Sequence, residues 1–311
     1  MRKQLCDALV ARATKSEMVF LTGDLGFMAL EPLQETLGQR FINAGVAEQN
    51  MVSVAAGLAR QGFEVWVYSI APFCYARPFE QIRNDITFHN LPVKLIGNGG
   101  GYGYGVMGPT HHAIEDYGVL LTLPDMSVFV PVFDEDMEAV IARAGASSRP
   151  AYIRMGRGEP PNGYTVPAYA PWRQLTCGSG PVVIAVGPLA GTYIDAFEQL
   201  PVEYRPNFWV VTELPIEQNP LPTELANQIE KSSSLCVAEE HVRHGGFGSD
   251  LLLYLAEKNI AVRRFRHLYA RAHHFERYGS QNFLRRQSAL DVDSMLAILK
   301  NFSTPEGSQH D

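Results

Sequence analysis

The chain has 311 residues, more than one typical domain and enough for two that each bury a core. Hydrophobic residues make up 46% and charged residues 19%, with a formal net charge of −7, a balance that argues against a nucleic-acid surface or an anionic membrane as main partner. Any anionic ligand must therefore be held by local groups. Cys6, Cys74, Cys177 and Cys236 stand too far apart for a CxxC zinc site or a disulfide framework, and no metal site is expected on the chain.

Residues 1–20 open as an amphipathic helical pattern with Leu5, Leu9 and Val10 on one side, unlike an apolar signal core. No run approaches the roughly 18 apolar residues that a bilayer span requires, so a cytoplasmic protein is expected. Short apolar runs at 18–22, 64–68, 93–96, 127–132 and 151–155 read as strands. Between them, helical patterns run over 50–61, 77–87, 114–123 and 134–146. Such alternation predicts an α/β fold with a mostly parallel sheet flanked by helices. A Pro/Gly/Tyr-rich stretch at 158–179 reads as a linker. A second series follows, with strands at 180–187, 208–212, 234–239 and 261–266 and a helix at 248–257. The expected organisation is a domain at 1–157, the linker, a second α/β domain at 180–302 and a frayed tail at 303–311.

Three stretches can carry chemistry. In Gly45-Val46-Ala47-Glu48-Gln49 a lone carboxylate enters an otherwise small, apolar helix start, where the helix dipole alone already favours an acid. The segment 68–84 presents Phe73, Tyr75, Arg77 and Phe79, although aromatics at such spacing usually belong to a core. The third stretch, 97–116, is a glycine-rich loop carrying Tyr102 and Tyr104 and ending in Gly108-Pro109-Thr110-His111-His112. It lacks the lysine of a phosphate-cradling loop.

Together, in this order, the three stretches resemble the transketolase family, including the pyrimidine-binding domain of deoxyxylulose-phosphate synthase and the beta subunits of 2-oxo-acid dehydrogenases. The resemblance covers roughly residues 1–300 and implies a pyrimidine-binding domain followed by a transketolase C-terminal domain. It implies thiamine diphosphate as cofactor, with Glu48 as the catalytic carboxyl at the aminopyrimidine. A dry pocket disfavours the charged form of such a carboxyl and keeps a proton there. It implies Phe73 as the stacking ring, with Tyr75 and Arg77 beside it, and His111, accompanied by His112, as the group handling protons of the bound substrate. Arg2 and Arg157 are similar to family arginines that grip a phosphate or carboxylate, and Arg154 ends the same strand. Glu239-Glu240-His241 and Gly245-Gly246-Phe247-Gly248 resemble the C-terminal domain that buttresses the family's dimer.

The departures are equally specific. An aspartate four residues before the motif histidine and a histidine twelve before it are usual in transketolases, and here Met107 and Gly99 stand in those places. Tyr102 and Met107 therefore line the expected substrate channel, and an ordinary pentose phosphate is not the expected substrate. The family's Gly-Asp-Gly motif with a downstream Asn, which holds the diphosphate through Mg2+ or Ca2+, is absent. Gly23-Asp24-Leu25-Gly26 lacks its second glycine. A partner subunit is expected to hold that end of the cofactor, in an α2β2 heterotetramer acting on small sugar substrates. A 2-oxo-acid dehydrogenase beta subunit and a non-catalytic regulatory subunit of the same fold are the alternatives.

Overall fold

The computed structural model describes residues 1–274 and 276–303. The first half begins with α1 (Arg2–Ala13), β1 (Met18–Thr22), α2 (Glu31–Leu37), β2 (Phe41–Asn43), α3 (Glu48–Arg60) and β3 (Glu64–Ile70). It continues with α4 (Ala71–Tyr75), α5 (Phe79–Gln81) running into a π-turn at Ile82–Thr87, β4 (Lys94–Asn98), α6 (Asp116–Leu120), β5 (Ser127–Phe129), α7 (Met137–Ala146) and β6 (Ala151–Arg154). The second half comprises β7 (Trp172–Thr176), β8 (Val182–Val186), α8 (Ile194–Glu198), β9 (Asn207–Val211), β10 (Glu213–Leu214), α9 (Thr223–Ser232) and β11 (Ser234–Glu239). It ends with α10 (Phe247–Glu257), β12 (Arg264–Tyr269), α11 (Gln281–Gln287) and α12 (Val292–Ser303).

Two sheets result, ordered β10-β5-β6-β4-β3-β1-β2 and β12-β11-β8-β9-β7. Each is parallel except at one edge, where β10 and β7 run antiparallel to β5 and β9. The apolar strands are buried on both faces, as a parallel sheet sandwiched by helices requires. On β1, Met18 and Phe20 join the cluster under α1, α2 and α7, while Val19 and Leu21 join the opposite cluster under α3. This is the period of two that sends successive side chains to opposite faces. Each fully buried Leu or Phe on such a face contributes about 1.5–3 kcal/mol relative to exposure.

The two halves are less separate than the sequence suggests. The segment read as a linker contains β7, whose Trp172 is buried, and it closes the second sheet. Strand β10 returns from the second half to cap the first sheet. One apolar cluster runs without a break from Val19 and Val65 of the first sheet to Ile184 and Val237 of the second. The N-terminal helix buries Leu5, Cys6, Leu9 and Ala13, leaving Val10 half-buried at the margin. Of the expected tail, residue 303 ends α12, whose Phe302 is buried, and 304–311 lie outside the described residues. Among the described residues no helix is long and apolar enough to cross a membrane.

Candidate active site

The three chemistry-bearing stretches meet at the carboxyl edge of the first sheet, the usual place for ligands in open α/β sheets. Beyond β1 and β2, Asn43 ties two loops together. Its Oδ1 accepts from the Asp24 and Gly45 amides at 3.1 and 2.9 Å, and its Nδ2 donates to Asp24 Oδ1 at 2.8 Å. Asp24, in a left-handed conformation, thus braces the turn leading to Glu48 and is engaged there rather than as part of a metal motif.

Glu48 is the first residue of α3 and is only 5% exposed. Its Oε1 accepts from Arg77 Nη1 at 2.7 Å, and no group of the described residues bonds to Oε2. The Arg77 guanidinium lies over the Phe73 ring, 3.9 Å from its centroid, in cation–π contact. The edge of His111 meets the same Phe73 ring at 5.3 Å between centroids, and Tyr104 lies 5.9 Å beyond His111. Glu48, Arg77, Phe73 and His111 therefore form one contiguous array drawn from α3, the segment after β3 and the loop after β4. The His111 Nδ1 pairs with Thr110 Oγ1 at 3.0 Å, and no described residue bonds to its Nε2. Gly108, at φ +80°, makes the turn into this histidine, and a side chain there would press to 2.6 Å from the Tyr278 ring. Gly108 is thus required on both conformational and steric grounds.

Other expected site residues are placed differently. His112 turns inward: its Nε2 bonds the Gly105 carbonyl at 2.9 Å, its ring packs edge-on against Tyr102, and burial pushes its pKa down. It braces the glycine-rich loop and does not face the array. Tyr102 is fully buried and donates to the Ala272 carbonyl at 2.7 Å, so it does not line a substrate channel. Tyr75 is also buried, and its hydroxyl donates to Glu115 at 3.2 Å, which removes it from a direct stacking role. Arg154 is enclosed in an ion pair with Asp116 at 2.9 Å. Met107 is 55% exposed on the rim, and Arg2 and Arg157 are exposed. Both arginines act on the Tyr104 phenol. Burial raises its pKa, while a hydrogen bond from Asn98 and the charges of Arg2 and Arg157 oppose that rise.

The sequence alone did not single out Ser69, Tyr104 as a neighbour of His111, or Asn43. The Ser69 hydroxyl is buried without a hydrogen-bond partner beside Glu48, since a Cβ added at Gly23 would touch both side chains at 3.8 Å. Its position at the end of β3, just before the aromatic segment, is the only signal that marks it.

These features bear on the cofactor that the resemblance implies. An open carboxylate oxygen, an orphaned hydroxyl and an aromatic ring suit the aminopyrimidine end. The diphosphate end has no comparable donor set, because among the described residues no three His, Cys, Asp or Glu side chains gather as a metal-binding group.

Residues 2–162 match the transketolase pyrimidine binding domain. One of the two-letter-designated subunits of a split enzyme, from the apulose-4-phosphate transketolase of Phocaeicola vulgatus, is 30% identical over 270 residues, covering 84% of this chain and 85% of that one. The 1-deoxy-D-xylulose-5-phosphate synthase 2 of Geobacter sulfurreducens is 33% identical over 277 residues, but these span only 42% of that longer protein. Among solved structures, a split gene transketolase described as an inactive beta4 tetramer superposes with a TM-score of 0.80 at 27% identity, covering 96% of both chains. Transketolase from Leishmania mexicana shares the fold, with a TM-score of 0.76 at 16% identity over 46% of its length. The two-sheet α/β architecture, the ordered motif blocks and these relatives together show that the chain belongs to the transketolase family, whose members depend on thiamine diphosphate.

Proposed function

We propose that this chain is the cofactor-activating subunit of a split transketolase-like enzyme. It would transfer a two-carbon ketol or acyl unit from a ketose or keto acid to an aldehyde. The observation that carries the reading is the array itself: the Glu48 carboxylate, with one oxygen open, stands within one side chain of a Phe73 ring that also touches His111. Thiamine diphosphate, when bound, supplies the thiazolium carbon that carries the transferred unit. Glu48 holds a proton at a pyrimidine ring nitrogen, and Phe73 offers a ring face for stacking. His111, through its open Nε2, moves protons of the substrate. Arg2 and Arg157, on either side of Tyr104, hold an anionic end of the substrate.

A partner subunit with Gly-Asp-Gly and a downstream Asn would supply the diphosphate and metal site, in an α2β2 assembly. Exposed apolar side chains support a covered face here. Phe27, Met28 and Val46 are 77%, 92% and 75% exposed on the loops joined by Asp24 and Asn43. Scattered apolar residues are ordinary on a surface, but three on adjoining loops beside a buried carboxylate mark an interface.

Reconstitution tests the reading. The chain and a candidate partner should bind thiamine diphosphate by calorimetry only when mixed, and the mixture should then transfer a two-carbon unit in a screen of ketose, keto-acid and aldehyde pairs. Binding by either chain alone, or none by the mixture, would refute it. Transfer to a lipoyl acceptor would identify the dehydrogenase-like alternative.

A further inference from the structure

Helix α4 carries Phe73 and has five residues, too few to hold its position by its own hydrogen bonds. Its last residue, Tyr75, is buried, and its hydroxyl donates to Glu115 Oε2 at 3.2 Å. Glu115 precedes α6, and its other oxygen, Oε1, meets His273 Nε2 at 2.5 Å. His273 follows β12 and belongs to the second half of the chain. One carboxylate therefore joins the helix under the aromatic ring to a loop of the other sheet, with one oxygen for each. Burial of Glu115 favours its protonated form, but the hydrogen bonds and charge of His273, with the bond from Tyr75, outweigh it and lower the pKa.

The base of this connection is itself anchored. Asp116 next door accepts from Arg154 Nε at 2.9 Å and from Tyr152 at 2.9 Å. Arg154 Nη2 in turn donates to the carbonyls of Ala113 and Glu240, at 2.9 and 2.7 Å, so the start of α6 is fixed from the second sheet as well. A buried side chain whose partners are each held by a further contact keeps its geometry within a fraction of an ångström. The array at Phe73 lies two residues from Tyr75, within reach of that constraint.

We propose that Glu115 and His273 are positioning residues: a carboxylate–imidazole strut across the two sheets that sets α4 so that Phe73 keeps the place needed by the pyrimidine. The proposal rests on the reading of Phe73 as the cofactor-stacking ring. It goes beyond that reading by giving the second half of the chain a part in cofactor affinity through residues that touch no ligand.

The test uses the complex assembled with its partner, titrated with thiamine diphosphate by calorimetry, with substrate KM and kcat measured at saturating cofactor. His273→Ala should raise the dissociation constant of the cofactor roughly tenfold, the loss of one hydrogen bond to a charged group. Substrate KM should stay unchanged, as should the melting temperature of the complex in the absence of cofactor. His273→Gln, whose amide can donate to Glu115 from a similar place, should restore most of the affinity. Tyr75→Phe should weaken binding in the same sense, and the double variant should be no worse than the stronger single, because both break one chain of contacts. Wild-type affinity in both His273→Ala and Tyr75→Phe, with affinity lost in Phe73→Ala, would overturn the strut and leave the stacking ring standing. Wild-type affinity in Phe73→Ala as well would overturn both. If His273→Ala does not fold, Tyr75→Phe decides, since it removes a single oxygen.

Discussion

Replacing Glu48 by Gln separates a structural role from a chemical one. The Glu48–Arg77 pair is 2.7 Å long, with side chains 5% and 46% exposed, so water screens the arginine side. Such a pair is worth less than about 1 kcal/mol, and the glutamine amide oxygen can still accept from Arg77. The melting temperature should fall by no more than about 4 °C. The chemical loss is of another order. A positioned acid–base group contributes roughly 10²- to 10⁴-fold, equivalent to about 3–5 kcal/mol of barrier. An amide cannot give and take the proton required at the pyrimidine nitrogen. With partner, metal and thiamine diphosphate supplied, the assay is deuterium exchange at the cofactor's thiazolium C2 followed by quenched-flow NMR, which needs no knowledge of the substrate. Exchange in Glu48→Gln within about threefold of wild type would refute the assignment. So would a collapse in stability comparable to the loss of exchange, since the carboxylate would then be a structural anchor.

Three further outcomes follow from the same geometry. His111→Ala should cut turnover by about 10²-fold or more, whereas His112→Gln should stay within several-fold of wild type, because an amide can also reach the Gly105 carbonyl; steady-state kinetics on both variants decides between the two histidines. Asp116→Ala leaves Arg154, 4% exposed, as an uncompensated buried charge and should cost about 3–5 kcal/mol in urea-induced unfolding; a loss below about 1 kcal/mol would show that the buried pair is replaceable. Lys94 is 1% exposed, and burial pushes its pKa from 10.5 down to about 8. The unfolded chain then binds this proton more tightly than the folded one. Stability linked to Lys94 is complete above about pH 10.5 and declines as pH falls toward 8. Lys94→Met should flatten unfolding free energy over that window, and an unchanged pH slope would remove Lys94 as its source.

Local pattern was enough to identify most of the fold. Strands such as β1, β3 and β8 are uninterrupted apolar runs because both faces of a parallel sheet are covered, and α3 and α7 carry their apolar stripe at helical spacing. The elements that escaped were those whose identity comes from a neighbour. Strand β2 has three residues and β10 two, and both exist because a longer strand supplies the hydrogen bonds. Strand β7, Trp172–Thr176, follows a proline-rich stretch and becomes a strand by pairing antiparallel with β9.

The same division holds at the site. Residue order and type alone marked Glu48, Phe73 and His111, since a lone carboxylate in an apolar helix start and a histidine closing a glycine loop are chemical oddities visible in one dimension. Which neighbours share their chemistry was decided by packing. His111 and His112 are adjacent in sequence, yet the turn after Gly108 sends one ring to Phe73 and the other into the interior against Tyr102. Tyr102 and Tyr104 are two residues apart, yet one is fully buried and the other stands beside His111. Glu115 and His273 are 158 positions apart and meet only because the second sheet docks on the first. Short-range patterning follows the local backbone period, while the direction of a side chain in a loop and any contact across two sheets depend on the closed tertiary fold, which no stretch of sequence contains by itself.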